Sequence, residues 1–118
     1  MAKLVVDGPD LVVRLSWLEM LGAMRGNVRV PLTAVREAIA DPEPWSALRG
    51  IRAPGTGIPG VIALGARRYL RGRDFAALYG QRPAVRVDLD GKSPFARLIV
   101  SVRDAEGTVA AIHAATGV

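Results

Sequence analysis

Short runs of strand-forming residues, separated by Gly, Pro and Asp, follow one another almost to the end of this chain. Runs of four to eight residues suit strands, whereas a stable helix needs a longer uninterrupted stretch. Leu4-Val5-Val6 and Leu11-Val12-Val13-Arg14-Leu15 flank Asp7-Gly8-Pro9-Asp10 and read as a hairpin. In residues 27–31, Val28 and Val30 share one face and Arg29 takes the other. Val35 and Ile39 continue into a strand that Asp41-Pro42-Glu43-Pro44 must end, because Pro cannot donate to a ladder. Residues 61–66 and 74–79 are two more candidates. Val85, Val87 and Leu89 alternate with Arg86, Asp88 and Asp90, and Leu98, Val100 and Val102 alternate with Arg97, Ser101 and Arg103. That pattern predicts two half-buried antiparallel strands joined by Asp90-Gly91-Lys92-Ser93-Pro94.

Two segments have helical rather than strand periodicity. Ser16-Trp17-Leu18-Glu19 is a capping-box pattern, in which Ser and Glu reciprocally satisfy first-turn amides. Trp17, Met20, Leu21 and Met24 follow at helical spacing, predicting a short amphipathic helix packed on the sheet. At the other end Asp104 can cap a helix whose Ala105, Val109, Ile112 and Thr116 share a face, and Gly117 can stop it. At about 1.5 Å per residue this helix spans roughly 18 Å, enough to plug one mouth of a small barrel. The predicted fold is therefore mainly β with a C-terminal α-helix. It is one domain over residues 1–118, an antiparallel β-barrel or orthogonal sandwich of seven to eight strands within residues 3–103, capped by a helix at about 104–116.

Residues 27–36, Asn27-Val28-Arg29-Val30-Pro31-Leu32-Thr33-Ala34-Val35-Arg36, resemble the strand, bend and next strand of small stand-alone bacterial pleckstrin-homology-like (PH-like) domains of high-GC Gram-positive bacteria. Gly50-Ile51-Arg52-Ala53-Pro54-Gly55-Thr56-Gly57-Ile58-Pro59-Gly60 before Val61-Ile62-Ala63-Leu64-Gly65 is similar to a feature of one subgroup. Residues 83–102, followed by the Asp104 helix, resemble the closing hairpin and cap. The resemblance spans residues 3–117 and implies a barrel used for binding. It does not imply phosphoinositide recognition. Lys3 and Arg14 are followed by Leu15 and Ser16 where the lipid-binding members close their basic signature, and no Trp occurs after Trp45.

Composition limits the function further. At 118 residues the chain has no room for a nucleotide domain beside a substrate domain, and its 50% hydrophobic content excludes a disordered tail. The absence of Cys removes disulfide frameworks, thiolate metal sites and thiol catalysis. Met1-Ala2-Lys3 leads into too few apolar residues for a signal peptide. The longest uncharged stretch, residues 53–66, is too short to span a bilayer and carries two Pro and four Gly. A soluble, cytoplasmic protein is expected. The net charge of +5 invites a polyanion, but Arg outnumbers Lys by 14 to 2, a bias that a GC-rich genome produces by itself. With six aromatic residues and no stacking platform beside Arg, nucleic acid is disfavoured as a partner.

Several residues stand out as contact candidates. Gly55-Thr56-Gly57-Ile58-Pro59-Gly60 matches G-x-G-x-x-G, but a strand follows where the dinucleotide fingerprint needs a helix, and Pro59 removes an amide. Gly55 and Gly57 are read instead as part of a wide loop, bordered by Arg49 and Arg52, whose amides could form an anion nest. Arg67, Arg68, Arg71 and Arg73 form the densest basic cluster, although Arg67 and Arg68 face opposite ways on a strand. Trp17, Met20 and Trp45 are candidate apolar anchors, with Trp45 expected to be partly buried. His113 lacks companions at metal-ligand spacing and is read as a helix-surface group, and Asp88 and Asp90 as solvated charges near Arg86 or Arg97. These observations predict a non-enzymatic binding or adaptor domain acting through a protein partner or a second copy, without cofactor. The alternatives are an anionic-lipid or small-anion module using the Gly55–Gly60 loop and the Arg67–Arg73 cluster, and a split-barrel flavin protein.

Overall fold

The computed structural model describes residues 2–49, 51–58, 60–69, 72–91 and 93–117, with residues 51–56 described by their backbone alone. The chain is mainly β and ends in a helix, as its pattern predicts. Strands β1 (Lys3–Asp7), β2 (Asp10–Arg14) and β3 (Val28–Pro31) form an antiparallel sheet. Gly8, at φ +57, lets the β1–β2 hairpin close with Asp7 directly opposite Asp10. Like charges so placed repel. Arg29 of β3 bridges them, its Nη2 donating to Asp7 at 2.9 Å and its Nη1 to Asp10 at 2.8 Å.

A second sheet holds β4 (Val35–Asp41), β5 (Ile51–Ile58), β6 (Ile62–Tyr69), β7 (Gly72–Tyr79), β8 (Ala84–Leu89) and β9 (Arg97–Ser101), in the spatial order β4-β8-β9-β7-β6-β5. Three expectations are corrected by this arrangement. There are nine strands among the described residues rather than seven or eight, because residues 51–58 pair with β6 where the glycines and prolines read as loop. The two sheets do not close into a barrel; they stack as a sandwich-like pair. And β7 runs parallel to β9, a pairing made possible because β8 intervenes in the chain and takes the far side of β9.

Burial explains the central pair. Residues 74–78 of β7 and 98–101 of β9 are all buried, so both faces of these strands are covered, and residues 75–78 and 98–100 read as continuous apolar runs. The alternation predicted for β8 holds, with Arg86 and Asp88 on its partly exposed side. For β9 it fails: Ile99 and Ser101, expected on the wet face, are fully buried.

On the inner face Phe75, Ala77, Val85, Val87, Leu98 and Val100 form one core with Leu11, Val13, Val28 and Val30 of the smaller sheet. On the outer face a 3₁₀ turn at Pro44–Ala47 covers a smaller cluster of Ala47, Ala63, Ala76, Leu78, Ala84 and Ile99, and Trp45 and Leu48 pack against that cluster. The terminal helix α2 (Ala105–Thr116) follows its sequence signals closely. Asp104 caps it by accepting from the Gly107 amide at 2.9 Å, and Gly117 stops it at φ +73. Ala105 and Val109 pack against the inner core and Ile112 joins it, while His113 Nε2 lies 2.9 Å from the Ala38 carbonyl on β4. Ile112→Ala should therefore lower unfolding stability by about 2–5 kcal/mol. Urea titration should show a lower midpoint with an unchanged slope.

Candidate functional site

Helix α1 (Trp17–Ala23) connects β2 to β3 and begins as its capping box requires. The Glu19 amide donates to Ser16 Oγ at 3.2 Å, and the Ser16 amide donates to Glu19 Oε1 at 2.9 Å. Glu19 then does something its charge does not announce. It turns inward, where the Tyr79 hydroxyl of β7 donates to its Oε2, and it is almost fully buried. Ala23, one turn on, is buried beside it, and Met20 packs against the core from the flank.

Inward seating of Glu19 and Ala23 forces the opposite side of the helix outward. Trp17, Leu21 and Met24 share that side, with Leu18 at its margin, as the 3.6-residue period dictates. All four are between 63% and 70% exposed. The sequence spacing identified this apolar face, but the expectation that it packs on the sheet is overturned. Only Met20, of the four predicted members, turns toward the core. The physical reason lies in the cap: Glu at the third helical position lies roughly opposite Trp17, and its carboxylate finds donors on the protein side.

The structure adds two residues that the sequence reading passed over. Ile58 and Val61, at the tip of the β5–β6 hairpin, are each more than half exposed. Val61 N donates to Ile58 O at 2.9 Å, closing the tip, and Gly80 N donates to Val61 O at 2.7 Å. Ile58 pairs with Ile62, which pairs with Tyr79. The tip thus lies at the end of the sheet where Tyr79 holds Glu19, and α1 packs on β5 and β6. These six side chains expose on the order of 500 Å² of apolar surface, at the upper end of what monomers leave uncovered.

The other predicted contact residues have structural employment. Trp45 is partly buried, as expected, and its Nε1 donates to the Gly80 carbonyl at 2.6 Å. Arg49 grips the fully buried Asp74 through two bonds, Nε to Oδ2 at 2.8 Å and Nη2 to Oδ1 at 2.7 Å. Its guanidinium also lies 4.5 Å from the Tyr69 ring centroid. Arg67 Nε donates to the Arg49 carbonyl at 3.4 Å. Arg49 and Arg67 are thus brought together, but around Asp74 rather than around a loop. Gly55 and Gly57 sit in β5, opposite Gly65 and Ala63. Gly65, at φ +128, takes a conformation that side chains rarely adopt, where β5 shifts register. The predicted 55–60 nest is therefore strand as far as Ile58, while Pro59 and the Arg52 side chain lie outside what is described.

One feature was invisible along the chain. Register places Glu37, Asp88, Arg97, Asp74, Arg67 and Arg52 in a single row across all six strands. Within it Arg97 Nε donates to Asp88 at 2.6 Å, and Arg86 lies 3.5 Å from Glu37 and 3.6 Å from Asp88. Asp88 thus sits beside Arg86 and Arg97, as expected. With Arg49 on Asp74, three carboxylates face three guanidiniums, and much of the outer face is internally neutralised.

Among the described residues no group of three or more His, Asp or Glu is arranged to hold a metal ion. No helix there is long and apolar enough to cross a membrane. Compared with known proteins, the chain matches no family model, no curated protein and no solved structure.

The Glu19–Tyr79 contact sets a pH window. Burial pushes the Glu19 carboxyl up, but the Ser16 amide and the Tyr79 hydroxyl outweigh it and hold the group below its usual 4.5. Burial, then the Glu19 acceptor, raises the Tyr79 hydroxyl well above its usual 10.0. Stabilisation from Glu19 is complete above pH 4.5 and is lost as pH falls through the depressed folded value. Stabilisation from Tyr79 is complete below pH 10.0 and is lost as pH rises through the raised folded value. Melting temperatures measured across that range should form a plateau with two falling limbs. Tyr79→Phe should flatten the alkaline limb and leave most of the acid one.

Proposed function

We propose that this chain is a non-enzymatic binding domain that associates with a second copy of itself through the outward face of α1 and the β5–β6 tip. The observation that carries this reading is the inversion of α1, which buries a glutamate and exposes a tryptophan, two leucines and a methionine. Water-exposed apolar area of this extent marks interaction surfaces in folded proteins.

A second copy fits the chemistry of the patch. None of its six side chains is charged, so two copies of a chain carrying +5 can meet there without opposing like charges. A two-fold pairing needs only self-complementarity, and an apolar helix face supplies it. With a rim of flanking residues the patch approaches the roughly 800 Å² per partner of a standard interface. A membrane surface fits less well, because interfacial helices pair an apolar face with basic residues and α1 contains no Lys or Arg. The PH-like relationship is retained as a proposal, supported by the terminal helix packed on β4, β1 and β8. The parallel β7–β9 pair is its main departure from an all-antiparallel barrel.

Sedimentation equilibrium across micromolar to millimolar concentrations should show a monomer–dimer equilibrium, with Trp17 emission moving to shorter wavelength as the dimer fills. Leu21→Glu should weaken dimerisation by about thirtyfold or more, as loss of a central anchor does. Its melting temperature measured at low concentration should stay near wild type, since Leu21 touches solvent rather than core. A wild-type chain that stays monomeric at the highest concentration, with Trp17 emission unmoved, overturns self-association.

A further inference from the structure

Three arginines gather at one place on the inner face of the large sheet, beyond the C-terminal end of α1. Arg25, just after the helix, lies with its guanidinium carbon 5.0 Å from the Phe95 ring centroid and 5.8 Å from that of Phe75. Arg73 of β7 lies 5.0 Å from the same Phe95 centroid. Arg68 of β6 is directly opposite Arg73 in the ladder. Phe75 and Phe95 meet edge to face at 5.9 Å and form the floor of the cluster.

The grouping is electrostatically uncompensated. Among the described residues none of the three forms an ion pair with a carboxylate, in contrast to Arg29, Arg49, Arg86 and Arg97. Among the described residues the buried Arg25 Nε has no hydrogen-bond partner, and the one hydrogen bond of the Arg73 side chain is a long 3.4 Å contact to the Pro94 carbonyl. Burial, then the charge of Arg73, lowers the proton affinity of Arg25. Opposed like charges on paired strands also cost stability. The aromatic faces offset part of that cost, because a ring quadrupole attracts cations. Two guanidiniums thus share one aromatic floor without a carboxylate, and register sets a third arginine opposite one of them. Guanidinium groups in such a set match the oxygens of a phosphate group, each donating charge-assisted hydrogen bonds.

We propose that Arg25, Arg68 and Arg73 form a binding site for a phosphate group, separate from the apolar face of α1. The group can be free in solution or carried on a lipid headgroup, and both present the same tetrahedral oxyanion. Phosphate bound there replaces mutual repulsion with attraction, so its binding should raise stability specifically.

The test compares inorganic pyrophosphate with sodium chloride at equal ionic strength. Wild type should melt at a higher temperature in pyrophosphate, and the Arg25 and Arg73 Nε–H signals should shift in NMR titration. Arg73→Gln should weaken pyrophosphate binding by about tenfold or more, as removal of one charge-assisted contact does. In chloride the same variant should melt at or above wild type, because a repulsion has been removed. Arg68→Gln, at an exposed position, gives a second reading where folding is not in question. Vesicles of phosphatidylcholine doped with phosphatidate form the other arm. Pyrophosphate binding without vesicle co-sedimentation supports a small phosphate compound, and both together support a headgroup. Equal melting shifts in pyrophosphate and chloride, or a pyrophosphate shift that survives both variants, overturn the site.

Discussion

Two strands buried on both faces, β7 and β9, set the terms for the rest of the molecule. A strand in that position needs a layer above and a layer below, and a chain of 118 residues has little material for both. The inner layer receives the large side chains: the β1–β2–β3 sheet, Ile112 of α2 and the Phe75–Phe95 pair. The outer layer is thin. Alanines at 63, 76 and 84 let the 3₁₀ turn carrying Trp45 lie close to the sheet, and charged side chains take over where that cover ends. Asp74 is the sharpest consequence, a carboxylate fully buried at the margin of the apolar cover and held there by both nitrogens of the Arg49 fork.

Much of this arrangement is readable from neighbouring residues, and what is not readable has a common cause. The β1–β2 hairpin, the β8 alternation, the Ser16–Glu19 box and both caps of α2 depend on residues a few positions apart, so their signals sit together in the chain. Strand β5 is hidden because Pro54, Gly55 and Gly57 interrupt it, and its pairing depends on β6 as a template rather than on its own propensity. The six-strand charge row spans residues 37 to 97 and exists only through register. The parallel pairing of β7 with β9 likewise needs β8 to be placed first. Of the candidate contact residues, Trp17 keeps an exposed role, while Trp45, Arg49 and Arg67 are absorbed into structure.

The charge of the chain divides the same way. Arg49, Arg86 and Arg97 on the outer face, and Arg29 on the small sheet, have carboxylate partners. Arg25, Arg68 and Arg73 have aromatic rings and one another. Adjacent positions 67 and 68 belong to opposite faces, so neighbours in the sequence are separated in space: Arg67 donates to the Arg49 carbonyl on the outer face, and Arg68 lies opposite Arg73 on the inner one.

Helix α1 is held by polar attachments at both ends, Glu19 to Tyr79 near its start and Arg25 over the phenyl rings just past its finish. Those attachments are directional, so they fix the rotation of the helix as well as its position. Ala23 reinforces them sterically. Its small side chain occupies the slot between helix and sheet, and a Trp or Leu rotated into that slot would push the helix off its support. Rolling α1 over to hide its apolar face would therefore break both attachments and overfill the contact. The face stays outward because the alternatives for this helix are worse, which is the condition for a surface that remains available to a partner.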